Sequence, residues 1–292
     1  MEKFALLYAP GGTLPTPGRR FDKRMAELML AFTEKGAGPV VVLIHGFPLC
    51  GRMWEPQMEA LAQAGYRVVA PDLPGFGASP PLDEMASMDA YADAVIALLD
   101  RLGIERAVVG GMSMGGYVLL NLVERYPQRL LAALYLVTRA AADDSAGKAR
   151  RSELAGEVRG GNREAVAEVF EKLLFAPGTP QRQPRLIDRV RGWMEAAAPE
   201  GAAAALLAMR SRKDYLATLP ELQVPALVVG AEMDLAIPPA HAAALAAGLP
   251  AAELHIVAAA GHMANLEQPG VFNRILLDFL VRQGIAPSAD RN

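Results

Sequence analysis

An open, mostly parallel, doubly wound α/β sheet with a helical insertion is the fold class this sequence predicts, on three observations. Short apolar runs rich in β-branched residues recur along the chain, as strands buried on both faces require. Amphipathic helical periods separate them, and alternation of this kind makes a parallel sheet with helices on both sides. The alternation stops once, between Ala141 and about Leu219, where charged helical stretches bring no strand before the sheet resumes near Pro225.

Taken in order, residues 1–20 are rich in Gly and Pro without a period and are assigned only as an N-terminal extension. A mixed stretch from Phe21 to Thr33 leads to the turn Gly36-Ala37-Gly38-Pro39 and then to the unbroken run Val40 to Ile44, a buried strand. The same signal returns at Arg67 to Ala70, Ala107 to Gly110, Leu131 to Val137, Ala226 to Val229 and Glu253 to Val257. Helical periods fill Met53 to Ala64, Met88 to Leu102, Met114 to Tyr126, Pro239 to Ala247 and Val271 to Arg282. In the last of these, Phe272, Ile275, Leu276, Phe279 and Leu280 share one side. The expected organisation is a core of residues 21–140 and 220–285, a helical insertion at 141–219 and a tail at 286–292.

Composition narrows the function. Of 292 residues, 52% are hydrophobic and 21% charged, which places the chain in the globular class. Twenty-nine basic residues against 32 acidic ones leave a net charge of −3, without the basic footprint that nucleic acid or an anionic membrane selects. One cysteine, Cys50, permits neither an intrachain disulfide nor a cysteine-built metal site. No signal-peptide core and no long uninterrupted apolar segment is read, so the expectation is a cytoplasmic protein without a membrane span. A monomer and a homodimer both fit.

The residues that carry chemistry begin at Gly111-Met112-Ser113-Met114-Gly115-Gly116, which follows a strand and opens a helix. This is the pattern of a nucleophile elbow, a turn so tight that the flanking positions need glycine. A serine hydroxyl needs a base to take its proton and an acid to orient that base. Of four histidines, His262 in Ala260-Gly261-His262-Met263 follows the last predicted strand and is the best-placed base. His45 reads as a loop-fixing residue, and His241 and His255 as surface or packing residues. Asp234, at the end of Gly230-Ala231-Glu232-Met233-Asp234, is the leading acid; Glu232 competes with it, and Asp143 and Asp144 offer a second position. The order Ser113, Asp234, His262 is the one this strand–turn–helix context expects. An oxyanion needs two preorganised donors, and the backbone N–H groups of Met114 and Phe47 are the candidates, Pro48 having none. Met112, Trp54 and Arg139 are candidate pocket residues, and Cys50 reads as a small packed hydrophobe.

These residues together resemble the α/β-hydrolase superfamily, in particular its lid-bearing branch of small bacterial esterases, enol-lactonases, carbon–carbon bond hydrolases and cofactor-free perhydrolases. The resemblance covers about Met25 to Arg282. It rests on His45-Gly46-Phe47-Pro48, the turn Asp72 to Ser79, the elbow Gly111 to Gly116, Asp234 with Pro238, and Gly261-His262 followed by Glu267-Gln268-Pro269. One departure is Ala231, where members usually carry glycine three before the acid. The resemblance implies an α/β-hydrolase fold in which 141–219 is a helical cap. It also implies a serine carboxylesterase or lactonase acting on a small molecule, with neither cofactor nor metal. A carbon–carbon hydrolase or perhydrolase with the same triad is the alternative, and a hydrolase-like ligand-binding receptor is the reading from another class.

Overall fold

The computed structural model describes residues 29–82, 86–162 and 164–287. The 1–20 extension and the end of the 286–292 tail lie outside the described residues. Seven strands form one sheet: β1 (Phe32–Lys35), β2 (Val40–Ile44), β3 (Arg67–Pro71), β4 (Ala107–Met112), β5 (Leu130–Leu136), β6 (Ala226–Ala231) and β7 (Ala252–Val257). Their order is β1-β3-β2-β4-β5-β6-β7, with β1 antiparallel to β3 and every other pair parallel. The chain steps outward from β2 to β3 and then returns to place β4 on the other side of β2. That reversal makes the carboxyl ends of β2 and β4 the topological switch point of the sheet, the place where open α/β sheets bind their ligands.

The unbroken apolar runs follow from burial on both faces. Along β2, Val42 and Ile44 enter one core while Val41 and Leu43 enter the other, so from Val41 to Ile44 no side chain is left for water. Each such side chain contributes about 2 kcal/mol when fully buried. The first core lies under α2 (Met88–Arg101) and α3 (Met114–Arg125), the second under α1 (Glu55–Gln63) and the long C-terminal helix, Pro269–Arg282. Ser87 caps α2, its hydroxyl accepting the Ala90 N–H at 3.1 Å.

Between β5 and β6 the chain is helical, as the missing strand signal predicts. It forms α4 (Ser145–Arg159), α5 (Glu164–Leu174), α6 (Thr179–Arg182), α7 (Pro184–Glu195) and α8 (Pro199–Arg210). Their apolar sides divide between the two cores: Val158, Val166 and Leu206 join the first, and Leu174, Phe175 and Trp193 the second. After β6 come α9 (Ala240–Gly248), α10 (Ala264–Glu267) and α11 (Pro269–Arg282). Two expectations need correction. β1 falls at the end of the stretch read as mixed, and the helix expected from Met53 begins as a 3-10 turn, Gly51–Trp54, before α1. Within the 29–287 span no helix of the described residues is long and apolar enough to cross a membrane.

Candidate active site

Ser113 occupies the sharp turn between β4 and α3, with φ 53° and ψ −113°, a backbone conformation rare for a residue with a side chain. Tight packing imposes it. A Cβ on Gly111 would lie 2.1 Å from the Gly115 carbonyl oxygen, one on Gly115 2.4 Å from the Ile44 oxygen, and one on Gly116 2.3 Å from Thr138 Oγ1. The segment after β5 braces the turn on two sides: the Ser113 N–H donates to Leu136 O at 3.1 Å, and the Thr138 hydroxyl donates to Ser113 O at 2.8 Å. Val137, between those two contacts, is itself held at φ 49°, an outlier for a β-branched residue.

Asp234 and His262 meet at the carboxyl edge of the same sheet. His262 Nδ1 lies 2.7 Å from Asp234 Oδ2, and both side chains are buried. A carboxylate can only accept, so Nδ1 carries the proton and Nε2 is left with its lone pair, the tautomer of a general base. The other oxygen of Asp234 accepts the N–H groups of Ala236 at 2.8 Å and Ile237 at 2.9 Å, which fixes the carboxylate plane. The competing acids are occupied elsewhere. Glu232 accepts the Ala259 N–H at 2.8 Å, Asp144 caps α4 through the Gly147 N–H, and Asp143 is bound by arginines. Ala231 ends β6 as ordinary strand, so the missing glycine costs nothing. Among the described residues Ser113 Oγ makes no hydrogen bond to His262.

The loop after β2 packs against the elbow, where a Cβ on Gly46 would come 3.3 Å from Ser113 Cβ. Among the described residues neither the Phe47 nor the Met114 N–H donates to another group, as oxyanion donors require. His45 holds this loop: Nδ1 donates to Gly46 O and Nε2 accepts the Leu73 N–H, each at 2.9 Å. Burial lowers its pKa, against raising effects from that carbonyl and from Asp72, and keeps the ring neutral. The Asp72 turn is anchored in the same way, its carboxylate accepting the Gly51 and Ala78 N–H groups at 2.8 and 2.9 Å.

Of the candidate pocket residues, Met112 and Trp54 are fully buried in the second core, the indole Nε1 without a partner among the described residues. Arg139 is half-buried and paired with Asp143, which also binds Arg151 and, at 2.7 and 3.0 Å, Arg212. Burial raises the Cys50 thiol and keeps it unreactive. Among the described residues no group of His, Cys, Asp or Glu could hold a metal. A cleft of about 330 Å³ lies on the flank of α3, lined by Asp89, Tyr117, Glu124, Arg212 and Tyr215 rather than by Ser113, Asp234 or His262. Sequence reasoning missed the Thr138 brace and the buried Glu267. A lone threonine carries no pattern, and the Glu267-Gln268-Pro269 motif was visible without its contacts.

The alpha/beta hydrolase fold family matches residues 39–269. A 2-hydroxy-6-oxononadienedioate/2-hydroxy-6-oxononatrienedioate hydrolase of Pseudomonas is 30% identical over 83% of this chain and 88% of its own. A thermophilic esterase from Thermogutta terrifontis, solved with malate bound, superposes with a TM-score of 0.84 at 36% identity, covering 87% of this chain and 93% of that one. The enol-lactonase from Burkholderia xenovorans LB400 superposes at 0.81 with 27% identity, over 86% and 96%. With a seven-stranded sheet whose reversal sets a serine elbow beside a glycine-bearing loop, and with that match across most of its length, the chain belongs to the α/β hydrolase family.

Proposed function

We propose that the protein is a serine hydrolase that cleaves a carboxylic ester or lactone of a small molecule through an acyl-enzyme. The observation that carries this reading is the buried Asp234–His262 hydrogen bond, which leaves Nε2 free as a base at the edge of the sheet that presents Ser113. In this reading Ser113 Oγ attacks the carbonyl carbon as His262 takes its proton. The oxyanion is held by the Phe47 and Met114 N–H groups, and His262 returns the proton to the leaving oxygen. Water activated by the same histidine then releases the acid. The helices between β5 and β6 serve as a cap, and Phe170, which meets Phe47 edge to face with ring centroids 5.2 Å apart, Phe175 and Trp193 make its inner side apolar. Esterase and enol-lactonase neighbours support this substrate class.

The test is hydrolysis of p-nitrophenyl esters by the native protein beside Ser113→Ala. A loss of about 10⁴-fold or more in kcat is expected in a protein that still folds. Full activity in the variant would sink the assignment. The Pseudomonas relative favours a second reading, hydrolysis of a carbon–carbon bond by the same three side chains. Product analysis on a dienoate substrate separates the two. Failure of a fluorophosphonate to label Ser113 would favour a ligand-binding protein.

A further inference from the structure

Glu267 is a buried carboxylate at the end of α10, five residues after His262, and the mechanism above makes no use of it. An ionised carboxylate is costly to bury unless donors surround it. Here three do, from two separate parts of the chain. Oε1 accepts the Gly261 N–H at 2.9 Å, in the loop that carries His262. Oε2 accepts the Ala176 N–H at 3.0 Å, in the link between α5 and α6, and the Thr179 hydroxyl at 2.7 Å, at the head of α6. The two segments lie backbone against backbone: a Cβ on Gly261 would sit 2.4 Å from Ala176 N, and the Met263 N–H donates to Leu174 O at 2.9 Å.

We infer that Glu267 is a two-armed positioning residue, one oxygen setting the loop of the candidate base and the other fastening the helical insertion to that loop. This rests on the serine-hydrolase reading, because the first arm matters through His262. The arms are separable. Glu267→Gln turns one oxygen into an NH₂ group, and the remaining oxygen is best placed against the two donors of the insertion. The new NH₂ then opposes the Gly261 N–H and displaces the histidine loop. Thr179→Val removes one donor from the insertion side and leaves the Gly261 contact intact.

The experiment measures kcat and KM for a p-nitrophenyl ester in Glu267→Gln, Thr179→Val, Thr179→Ser and Ser113→Ala, with hydrogen exchange at the Gly261 and Ala176 amides. Glu267→Gln is expected to lower kcat by about 10- to 100-fold, the cost of a misplaced reacting group, with faster exchange at Gly261. Thr179→Val is expected to raise KM about fivefold, the equivalent of one lost hydrogen bond, with faster exchange at Ala176, and Thr179→Ser to restore it. Native kcat in Glu267→Gln overturns the inference, as does a parallel loss of kcat and KM in both variants, which a merely structural role would produce. Should Glu267→Gln not fold, the threonine pair decides: a KM rise reversed by serine supports the insertion arm, and an unchanged KM overturns it. Full activity in Ser113→Ala sinks the serine assignment instead, whereas an inactive Ser113→Ala beside an unimpaired Glu267→Gln sinks only the positioning role.

Discussion

A single short hydrogen bond separates Asp234 from the carboxylates around it. Glu232, Asp143 and Asp144 are each satisfied by other donors, and only Asp234 reaches His262 Nδ1. Asp234→Asn keeps the shape but presents an NH₂ group to the ring, which favours the wrong tautomer. The expected result is a fall in kcat of roughly 10³- to 10⁴-fold with KM little changed, read from steady-state kinetics. His45 has a different signature, in stability rather than rate. Its folded pKa is depressed, so the neutral ring contributes stability that is complete above the ordinary histidine value of about 6.5 and is lost as pH falls toward the folded value. Melting temperature should therefore drop on acidification below about pH 6.5, and His45→Gln should flatten that part of the curve; an unchanged slope would count against the assignment. The sequence marked Ser113, His262 and Asp234 as candidates through their places after strands, since a residue's position in the chain order survives without coordinates. It left Asp234 and Glu232 in competition, because two residues of sequence cannot say which carboxylate turns inward.

At the scale of elements, the turn between β4 and α3 is strained and is kept in place by its neighbours. The Cβ that Gly111→Ala or Gly115→Ala adds meets backbone carbonyl oxygens, which cannot rotate away. Each substitution should cost roughly 2 kcal/mol or more, measured as a lower urea midpoint with an unchanged m value. Thr138→Val should cost about 1 kcal/mol by removing the donor to Ser113 O, and should lower kcat because the serine loses one of its two braces. An effect on stability without one on kcat would make the brace purely structural. The glycine spacing around Ser113 announced this turn in the sequence, while the end of the Leu131 to Val137 strand signal and Thr138 after it gave no sign of bracing it, since that role exists only when β5 lies beside β4. β1 escaped for a related reason. Phe-Thr-Glu-Lys has neither a β-branched run nor an alternating face strong enough to read, and it becomes a strand by pairing Phe32 to Lys35 with Pro71 to Val68.

Across the whole molecule, Asp143 ties the helical insertion to the sheet. Arg139 comes from the segment leaving β5, Arg151 from α4 and Arg212 from the segment returning toward β6, so one carboxylate joins both ends of the insertion. Burial works to raise the Asp143 pKa, but hydrogen bonds from Arg212 and Arg151 outweigh it and hold the carboxyl well below the ordinary carboxylate range. Its stabilisation is therefore complete above the unfolded value of about 3.9 and is lost as pH falls toward the lower folded value. Asp143→Asn leaves buried guanidinium groups without their counter-charge and should cost about 3–5 kcal/mol in urea unfolding at neutral pH. A loss under about 1 kcal/mol would mean that water or Met209 O and Ala141 O suffice for Arg212.

The sequence by itself determined the class of fold, the interruption by helices and the chain order of the candidate residues Ser113, Asp234 and His262. Hydrophobic period and glycine placement are local consequences of burial on two faces and of one tight turn, and local consequences can be read along a chain. Only the tertiary structure decided which carboxylate meets His262, that Thr138 braces Ser113, that Arg139 is spent on Asp143 and that Glu267 joins the histidine loop to the insertion. Each of these is a contact between segments far apart in sequence, chosen by the strand order that brings the ends of β4, β5, β6 and β7 to one edge. Hydrogen bonding acts over about 3 Å, and along the sequence that distance is invisible.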